Sequence, residues 1–355
     1  MYGNLDKING VYMNYFNNTQ TDWRISQCCQ FHDTKLAKRY NLGTTTKTYA
    51  LKADGKAKVQ AKAIENCRKL LDILSTYFPT QPRNLRSFRI SSELFPCFTL
   101  DFTREWYAEI WDTLSNILER AGEQAIKHEV RLSVHPGQFT VLGSNNSDVV
   151  QKSIEDLEYH ALYGQLMRLP ARDFVMNIHL QGLYGGKHED GIKRFASNFH
   201  YLSDYAQKCL AVENEDKHKS GYDITHVIEL SKRIPTRVTF DLHHYECMRK
   251  KECDFPSIND DFFKEAVKSW SSSRPLFHVS QTILDENGND GPRMNQHSEI
   301  LHDTERLSMM TPMLEYADFD IEAKHKEVAV QHAYKFFKQE ELYAGEPLVC
   351  KTLLT

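Results

Sequence analysis

Long apolar runs are missing from this 355-residue sequence. A membrane-spanning helix needs about 18 or more consecutive apolar residues, and no such stretch occurs. The N-terminal stretch MYGNLDKINGVYMNY also lacks the basic start and the apolar middle of a secretion signal. We therefore expect an intracellular protein with no membrane partner.

Cysteine pairs with the spacing of redox or zinc motifs are missing too. The eight cysteines are scattered, with one adjacent doublet at Cys28 and Cys29 and no CxxC motif. This distribution argues against a disulfide framework and against a zinc ribbon.

An excess of positive charge is also absent, since the net charge is −4, so the chain as a whole does not attract nucleic acid. The basic stretches at 47–62, 216–220 and 248–251 are of a kind that is usually solvated surface.

The order of predicted elements indicates the fold class. No GxGxxG follows the first predicted strand and no break in composition divides the chain, which disfavours an open doubly wound sheet, the second choice. Short β-rich runs alternate with helical periodicity, as in 149–169, where Val150, Ile154 and Leu157 share one stripe. The sequence therefore predicts an α/β fold, a closed (β/α)₈ TIM barrel forming one domain over residues 1–355. The eight predicted strands are 8–15, 84–91, 130–134, 173–180, 209–214, 237–243, 275–280 and 317–323.

Histidines and acids stand at the carboxyl ends of the predicted strands. In a TIM barrel these ends meet at one mouth, where catalytic residues lie. A single histidine in such a place is more often an ordinary hydrogen-bonded residue, but this many at one structural level indicate a shared site. They are His135, His179, Glu213, Asp241, His243, His244, His278 and Glu322, with His297 in the loop after the seventh strand.

Converging imidazoles and carboxylates are best compensated by divalent cations. The mixture of nitrogen and oxygen donors suits Mn²⁺, Zn²⁺ or Fe²⁺ better than Mg²⁺ or Ca²⁺. The number of donors exceeds the needs of one ion, which predicts two or three ions bridged by a carboxylate such as Glu213. Clustered ions of this kind serve the hydrolysis of phosphodiesters.

The segment FDLHHYE leaves a choice between two histidines. Strand alternation places Asp241 and His243 on one face and His244 on the other. If the strand ends near residue 242, however, the following turn can bring His244 inward instead. The pattern alone does not decide between them.

Seven stretches of the sequence resemble the UV damage endonucleases, which are metal-dependent repair enzymes that nick DNA on the 5′ side of a lesion. The stretches occur in the same order as in that family. They are FRISSELFP (88–96), RLSVHPGQF (131–139), NIHLQGLYGGK (177–187), LAVENEDK (210–217), FDLHHY (240–245), FHVSQ (277–281) and IEAKHKEVAV (321–330). The resemblance implies a TIM barrel with two or three divalent ions, manganese first, with zinc, magnesium or cobalt as alternatives.

The resemblance also implies the ligands of these ions. It favours His244 over His243, and it leaves His302 as a competitor of His297, because the stretch 285–296 is longer than we expect for the family. Among the implied ligands, Glu213, His244 and Glu322 are the candidates for the catalytic role. The full set is His135, His179, Glu213, Asp241, His244, His278, His297 and Glu322.

The implied partner is damaged double-stranded DNA, bound by a monomer. In the family the two residues after His-Pro-Gly probe the duplex, and here they are Gln138 and Phe139. Tyr12 and Asn14 would line the lesion pocket, and Lys187 would contact a phosphate. The implied reaction is hydrolysis of the phosphodiester immediately 5′ to UV photoproducts and other helix-distorting lesions, leaving a 3′ hydroxyl and a 5′ phosphate.

One position departs from the family pattern. Where the family can have a carboxylated lysine that bridges metal ions, two residues before the histidine of strand seven, this chain has Leu276. We therefore expect altered occupancy of one ion. The alternatives are an abasic-site endonuclease or a sugar isomerase on a related metal barrel, and a non-catalytic binder of damaged DNA. A compact chain without a long N-terminal extension fits a bacterial or viral cytoplasm better than a nucleus.

Overall fold

A computed structural model describes residues 23–217, 221–250, 254–271 and 273–344, without the side chains of 340–344. Within these residues eight strands pair in parallel, in the order β6-β5-β4-β3-β2-β1-β8-β7. A parallel bridge between Asp241 and His278 joins the end of β6 to β7 and closes the ring. The predicted (β/α)₈ TIM barrel is confirmed. The strands are β1 (Ile25–Cys28), β2 (Ser87–Ile90), β3 (Arg131–Val134), β4 (Phe174–His179), β5 (Leu210–Glu213), β6 (Arg237–Thr239), β7 (Leu276–Val279) and β8 (Asp318–Ile321).

The first strand of the barrel is not the one that the sequence predicted. The predicted strand 8–15, which carries Tyr12 and Asn14, lies outside the described residues. The barrel position between β2 and β8 is filled by β1, in which Gln27 is paired with Phe88 on one side and with Ile321 on the other. The assignment of 8–15 as the first barrel strand is therefore wrong.

Helices follow the strands and cover the outside of the barrel, as parallel pairing requires. After β3 has run to the mouth, the chain returns through a loop that ends at Asn146, whose side chain accepts from the backbone N–H groups of Asp148 and Val149. In the described part of the chain the α-helices are α1 (Thr34–Tyr40), α2 (Lys47–Ala50), α3 (Gly55–Asp72), α4 (Arg104–Lys127), α5 (Ser147–Leu166), α6 (His188–Phe199), α7 (Asp204–Cys209), α8 (Ile224–Ser231), α9 (Leu242–Met248), α10 (Asp261–Lys268), α11 (Thr304–Met310) and α12 (Lys326–Ala344).

The interior of the barrel is polar at both ends. At the amino-terminal ends of the strands, the buried carboxylate of Asp318 accepts from Arg131 Nη1 at 2.6 Å, from Arg274 Nε at 2.7 Å and from the backbone N–H of Arg24 at 2.8 Å. The carboxyl ends carry the histidines and acids predicted from the sequence. Apolar side chains between strands and helices form the main core, with Phe174, Phe277 and Phe319 fully buried.

Across the described ranges, no helix combines the length and the apolar character needed to cross a bilayer.

Candidate metal centre

The centre is built around Glu213, the last residue of β5, whose side chain is fully buried. Four imidazoles from neighbouring elements surround its two carboxylate oxygens. His244 Nδ1 lies 3.1 Å and His179 Nε2 lies 3.6 Å from Oε1, whereas His278 Nδ1 lies 3.2 Å and His135 Nε2 lies 3.3 Å from Oε2. One carboxylate thus joins residues that lie more than 140 positions apart in the sequence.

A second carboxylate, Glu322, extends the cluster at the end of β8. Its Oε1 lies 3.4 Å from His278 Nδ1 and also accepts a hydrogen bond from the guanidinium of Arg89. Its Oε2 lies 3.8 Å from His297 Nδ1. Glu322 is therefore held between a cation and two imidazoles.

Seven of the eight predicted ligands fall into three overlapping groups, within each of which the donor atoms lie within 4.8 Å of one another. Glu213 belongs to two of the groups, and so does His278. A carboxylate shared in this way can bridge two adjacent ions through its two oxygens, whereas one imidazole nitrogen can ligate only one ion. The groups are His135 with Glu213 and His278, His179 with Glu213 and His244, and Asp241 with His278 and Glu322.

The choice between His243 and His244 follows from where the strand ends. β6 stops at Thr239, and Asp241 then caps α9, its side chain accepting from the backbone N–H of His244 at 2.7 Å. Helical geometry, rather than strand alternation, sets the directions of the next side chains. His244 therefore turns toward Glu213, while His243 Nε2 lies 3.6 Å from Cys247 Sγ on its own helix.

His297 and His302 occupy different places. His297 lies in a hairpin, bridged in antiparallel fashion to Thr282, that brings it to Glu322. His302 lines a cavity of about 300 Å³ together with Gln281 and Arg306, and its backbone N–H donates to Gln281 Oε1 at 2.7 Å. Of these two histidines, the geometry brings His297 to the predicted cluster.

Charges in the centre are strongly coupled. Burial raises the pKa of Glu213, but His278 and His179 outweigh it and hold that pKa well below its usual range. Burial lowers the pKa of His244, yet Asp241 and Glu213 raise it well above the ordinary value. Burial raises the pKa of Asp241 to about 6. Burial also lowers the pKa of His278, but the neighbouring carboxylates raise it to about 9, so that without a metal ion protons on His244 and His278 compensate the carboxylates.

Whether metal ions fit the centre can be judged from its buried polar atoms that lack hydrogen-bond partners. Among the described residues, Glu213 Oε1, Asp241 Oδ2 and His278 Nδ1 are buried and have no hydrogen-bond partner. Buried polar groups are normally satisfied, and unsatisfied ones are costly. Since all of these atoms are accepted ligands of divalent ions, the residues present fit a cluster of such ions.

Three polar side chains that hold this cluster were missed in the sequence analysis. Asn177 donates to Glu213 Oε2. Asn214 accepts from the backbone N–H of Asp241 at 2.9 Å and donates to its carbonyl oxygen at 3.0 Å, which fixes the start of the capping turn. Arg89 donates to Glu322. Asn177 could have been found, because it precedes His179 by two residues and so shares its face of β4.

The segment after His135 projects from the mouth. Gln138 and Phe139 are exposed, and Phe139 shows 84% of its surface to solvent. The backbone N–H of Thr140 donates to the carbonyl of Gly137 at 3.0 Å and closes the turn that carries them. A Cβ atom at Gly137 would meet nothing within 4 Å, so close packing does not require glycine there.

Lys187 is exposed at the mouth, where it forms the N-cap of α6. The loop that leads to it contains Tyr184, which is 54% exposed, has a positive φ of 48° and donates from its hydroxyl to Ser144 Oγ at 3.1 Å. That bond ties the Lys187 loop to the loop that follows β3. Leu276 is fully buried in β7, two residues before His278.

Comparisons with known proteins give a consistent picture. The family model described as UV-endonuclease UvdE matches residues 27–347. The UV DNA damage endonuclease of Nostoc sp. is 31% identical over 303 residues, which cover 83% of this chain and 85% of that protein. The UV DNA damage endonuclease of Clostridium perfringens is 28% identical over 68% of this chain and 57% of its own length. The crystal structure of SacUVDE superposes with a TM-score of 0.74 and 25% identity, over 90% of this chain and 99% of that one.

Proposed function

This chain belongs to the UV-endonuclease UvdE family, and from that premise we propose that it is a DNA repair endonuclease acting on UV photoproducts and other helix-distorting lesions. It nicks the phosphodiester immediately 5′ to the lesion by multi-metal hydrolysis and leaves a 3′ hydroxyl and a 5′ phosphate. The observation that supports this proposal most directly is the convergence of four imidazoles on the buried carboxylate of Glu213 at the mouth of the barrel.

The ligands of the ions are the three overlapping groups, with His297 as an additional donor beside Glu322. Divalent ions in such a cluster supply a nucleophile at neutral pH and neutralise charge on the reacting phosphate. Manganese is the first choice, because the donors are imidazole nitrogens and carboxylate oxygens and the groups include no thiolate. Asn177 and Arg89 keep Glu213 and Glu322 in place by hydrogen bonds to their carboxylates.

Recognition of DNA is assigned to the exposed residues of the mouth loops. Phe139 offers an aromatic face for stacking on bases that the lesion has exposed, and Gln138 offers an amide for hydrogen bonds to the unpaired bases of the opposite strand. Lys187 offers a cation to a backbone phosphate. Damaged bases cost less to extrude than intact ones, which favours damaged duplexes over intact DNA.

The test is a nicking assay with three matched substrates. Purified protein with Mn²⁺ is incubated with one oligonucleotide duplex that is UV-irradiated, intact or abasic. We expect a nick on the 5′ side of the photoproduct, with ends that a ligase can rejoin directly. A nick in the abasic duplex alone would favour an abasic-site endonuclease, and binding without a nick would favour a damage binder, so either result contradicts the proposal.

Leu276 leads to a prediction about the number of ions. Leucine has no donor atom, so the position cannot bridge two ions as a carboxylated lysine can. We expect fewer than three manganese ions per chain after saturation with Mn²⁺ and removal of free metal on a desalting column, as measured by elemental analysis. Three ions per chain under those conditions would show that Leu276 does not change the occupancy.

Phe139→Ala is expected to weaken binding of the damaged duplex. Stacking of a base on an aromatic ring contributes about 1–3 kcal/mol, which corresponds to a dissociation constant about 5- to 150-fold higher. Binding is measured by fluorescence anisotropy on UV-irradiated and intact duplexes. The matched control is Tyr201→Ala, since Tyr201 is 72% exposed but follows the carboxyl end of α6, at the opposite end of the barrel. Equal losses in the two variants would contradict the role of Phe139.

A further inference from the structure

Asp320 is a buried carboxylate that neither the predicted ligand set nor the family resemblance accounts for. It lies within β8, is fully buried, and neither of its carboxylate oxygens has a hydrogen-bond partner in the part of the chain that the structure describes. A buried carboxylate without a partner is costly. We therefore expect the carboxylate of Asp320 to interact with other charged groups in the barrel interior.

The neighbour of Asp320 is His278, with which it is paired across β7 and β8. The Nε2 atom of His278 lies 3.6 Å from Asp320 Oδ2. The other ring nitrogen, Nδ1, lies 3.2 Å from Glu213 Oε2 and 3.4 Å from Glu322 Oε1. One imidazole thus stands between the metal-ligand cluster on its Nδ1 side and a single carboxylate on its Nε2 side.

Asp320 is not itself placed as a ligand. None of the three groups of donors within 4.8 Å of one another includes it, although His278 belongs to two of them. Asp320 also interacts electrostatically with Arg89, whose guanidinium donates to Glu322. The contact with His278 is therefore the feature of Asp320 that connects it to the cluster.

We propose that Asp320 is the positioning residue of His278. Its carboxylate accepts a hydrogen bond from Nε2–H, which keeps the proton on Nε2 and leaves the single lone pair of Nδ1 to ligate an ion held beside Glu213 and Glu322. A histidine ligand commonly donates its second ring N–H to a carboxylate, which fixes its tautomer and orientation and makes the ligating nitrogen more basic. The inference rests on the proposed function, since it assumes that metal ions bind at this cluster.

The sequence context strengthens this assignment. Leu276 precedes His278 by two residues on the same face of β7 and is fully buried, so the preceding residue on that face offers His278 no polar partner. The adjacent strand supplies the carboxylate instead. Asp320, in register with His278, thus places a negative charge beside the cluster, whereas Leu276 offers only hydrocarbon.

The test compares Mn²⁺ binding by wild type, Asp320→Leu and Asp320→Asn, with free Mn²⁺ counted by electron paramagnetic resonance. Loss of a partner of this kind costs about 10- to 100-fold in metal affinity, and we expect that loss in Asp320→Leu for the ion that His278 holds. Asp320→Asn keeps an acceptor oxygen and should lose less. Removal of a buried unpaired carboxylate should not prevent folding, which thermal unfolding of the metal-free variants checks.

The matched control is Thr239→Val. Thr239 is fully buried two residues before Asp241, and its hydroxyl has no hydrogen-bond partner within the described ranges, so the variant alters the barrel interior while leaving His278 its carboxylate. If Asp320 had only a structural role, Asp320→Leu and Thr239→Val would have similar Mn²⁺ affinities. Equal Mn²⁺ affinities in Asp320→Leu and Thr239→Val, whether both unchanged or both weakened, would overturn the inference.

A second readout is the tautomer of His278, observed by ¹⁵N NMR of the Zn²⁺-loaded protein. We expect a proton on Nε2 in the wild type and a shifted or exchange-broadened signal in Asp320→Leu. An identical His278 signal in both proteins would overturn the assignment. Failure of the wild type to bind Mn²⁺ would contradict the proposed function itself, whereas tight binding that Asp320→Leu leaves unchanged would contradict this inference alone.

Discussion

Glu213→Gln is expected to lower the rate of nicking of a UV-irradiated duplex by more than about 100-fold, since loss of even an outer partner of a metal ligand costs about 10- to 100-fold. The substitution keeps the volume and removes the charge that lies within 3.6 Å of four imidazoles. It also removes a donor that two groups of ligands share. The measurement is single-turnover cleavage at saturating Mn²⁺, with binding of the same duplex measured separately.

Binding of DNA should survive in Glu213→Gln, because Phe139 and Lys187 are exposed on the mouth loops and do not depend on the buried carboxylate. A suitable control is Glu215→Gln, two residues further along the same segment. The carboxylate of Glu215 is also buried, but it accepts from the backbone N–H of Tyr222 at 3.1 Å and pairs with Lys217 at 3.2 Å. Wild-type nicking by Glu213→Gln would show that Glu213 does not bridge metal ions.

The positions of the candidate ligands were predictable because a parallel barrel gathers the carboxyl ends of its strands at one mouth. Glu213 ends β5 within the predicted strand 209–214, and Glu322 directly follows β8 within the predicted strand 317–323. Once those strands are recognised, their last residues must be neighbours in space. This prediction needs only the positions of the strands and no knowledge of side-chain contacts.

The first strand could not be found in the same way. Strands of parallel barrels are usually near-continuous apolar runs, but β1 reads ISQC, with Ser26 and Gln27 at its centre. The stretch 8–15, INGVYMNY, is richer in β-branched and aromatic residues and therefore gives a stronger strand signal. A polar barrel interior therefore weakens the signal on which strand prediction depends.

Side chains that act through hydrogen bonds were harder to predict than ligands. Alternation indicates that Asn177 and Asp320 face the barrel interior, because each precedes a candidate ligand by two residues. It does not indicate which atom each of them contacts. For His244, alternation gave the wrong direction, since β6 ends at Thr239 and a helix begins at Leu242.

The two ends of the barrel hold buried carboxylates with different neighbours. Glu213 at the mouth faces imidazoles, whose protons can leave. Asp318 at the opposite end faces Arg24, Arg131 and Arg274, whose guanidinium groups stay charged at any ordinary pH. In TIM barrels the first end serves catalysis and the second serves stability, and here the chemistry of the neighbouring cations gives a physical reason for that division.

Asp318→Asn is accordingly expected to lower the free energy of unfolding by about 3–5 kcal/mol, the usual cost of breaking a buried ion pair by removing one partner. The arginines would keep their charges in a site that no longer compensates them. Chemical denaturation of the metal-free protein at neutral pH measures the loss. Glu213→Gln is the control, and its loss should be smaller, because His244 and His278 can release protons when the carboxylate is removed.

The dependence on pH separates this charge effect from a packing defect. Burial raises the pKa of Asp318, but Arg131, Arg274 and Arg24 outweigh it and lower the pKa below its usual range. The stabilisation by Asp318 is therefore complete above the pKa of an unfolded carboxyl and is lost as the pH falls through the lowered value. The difference between wild type and Asp318→Asn should shrink in acid. If the difference in the free energy of unfolding stays constant as the pH falls through the lowered pKa of Asp318, packing rather than charge is its cause.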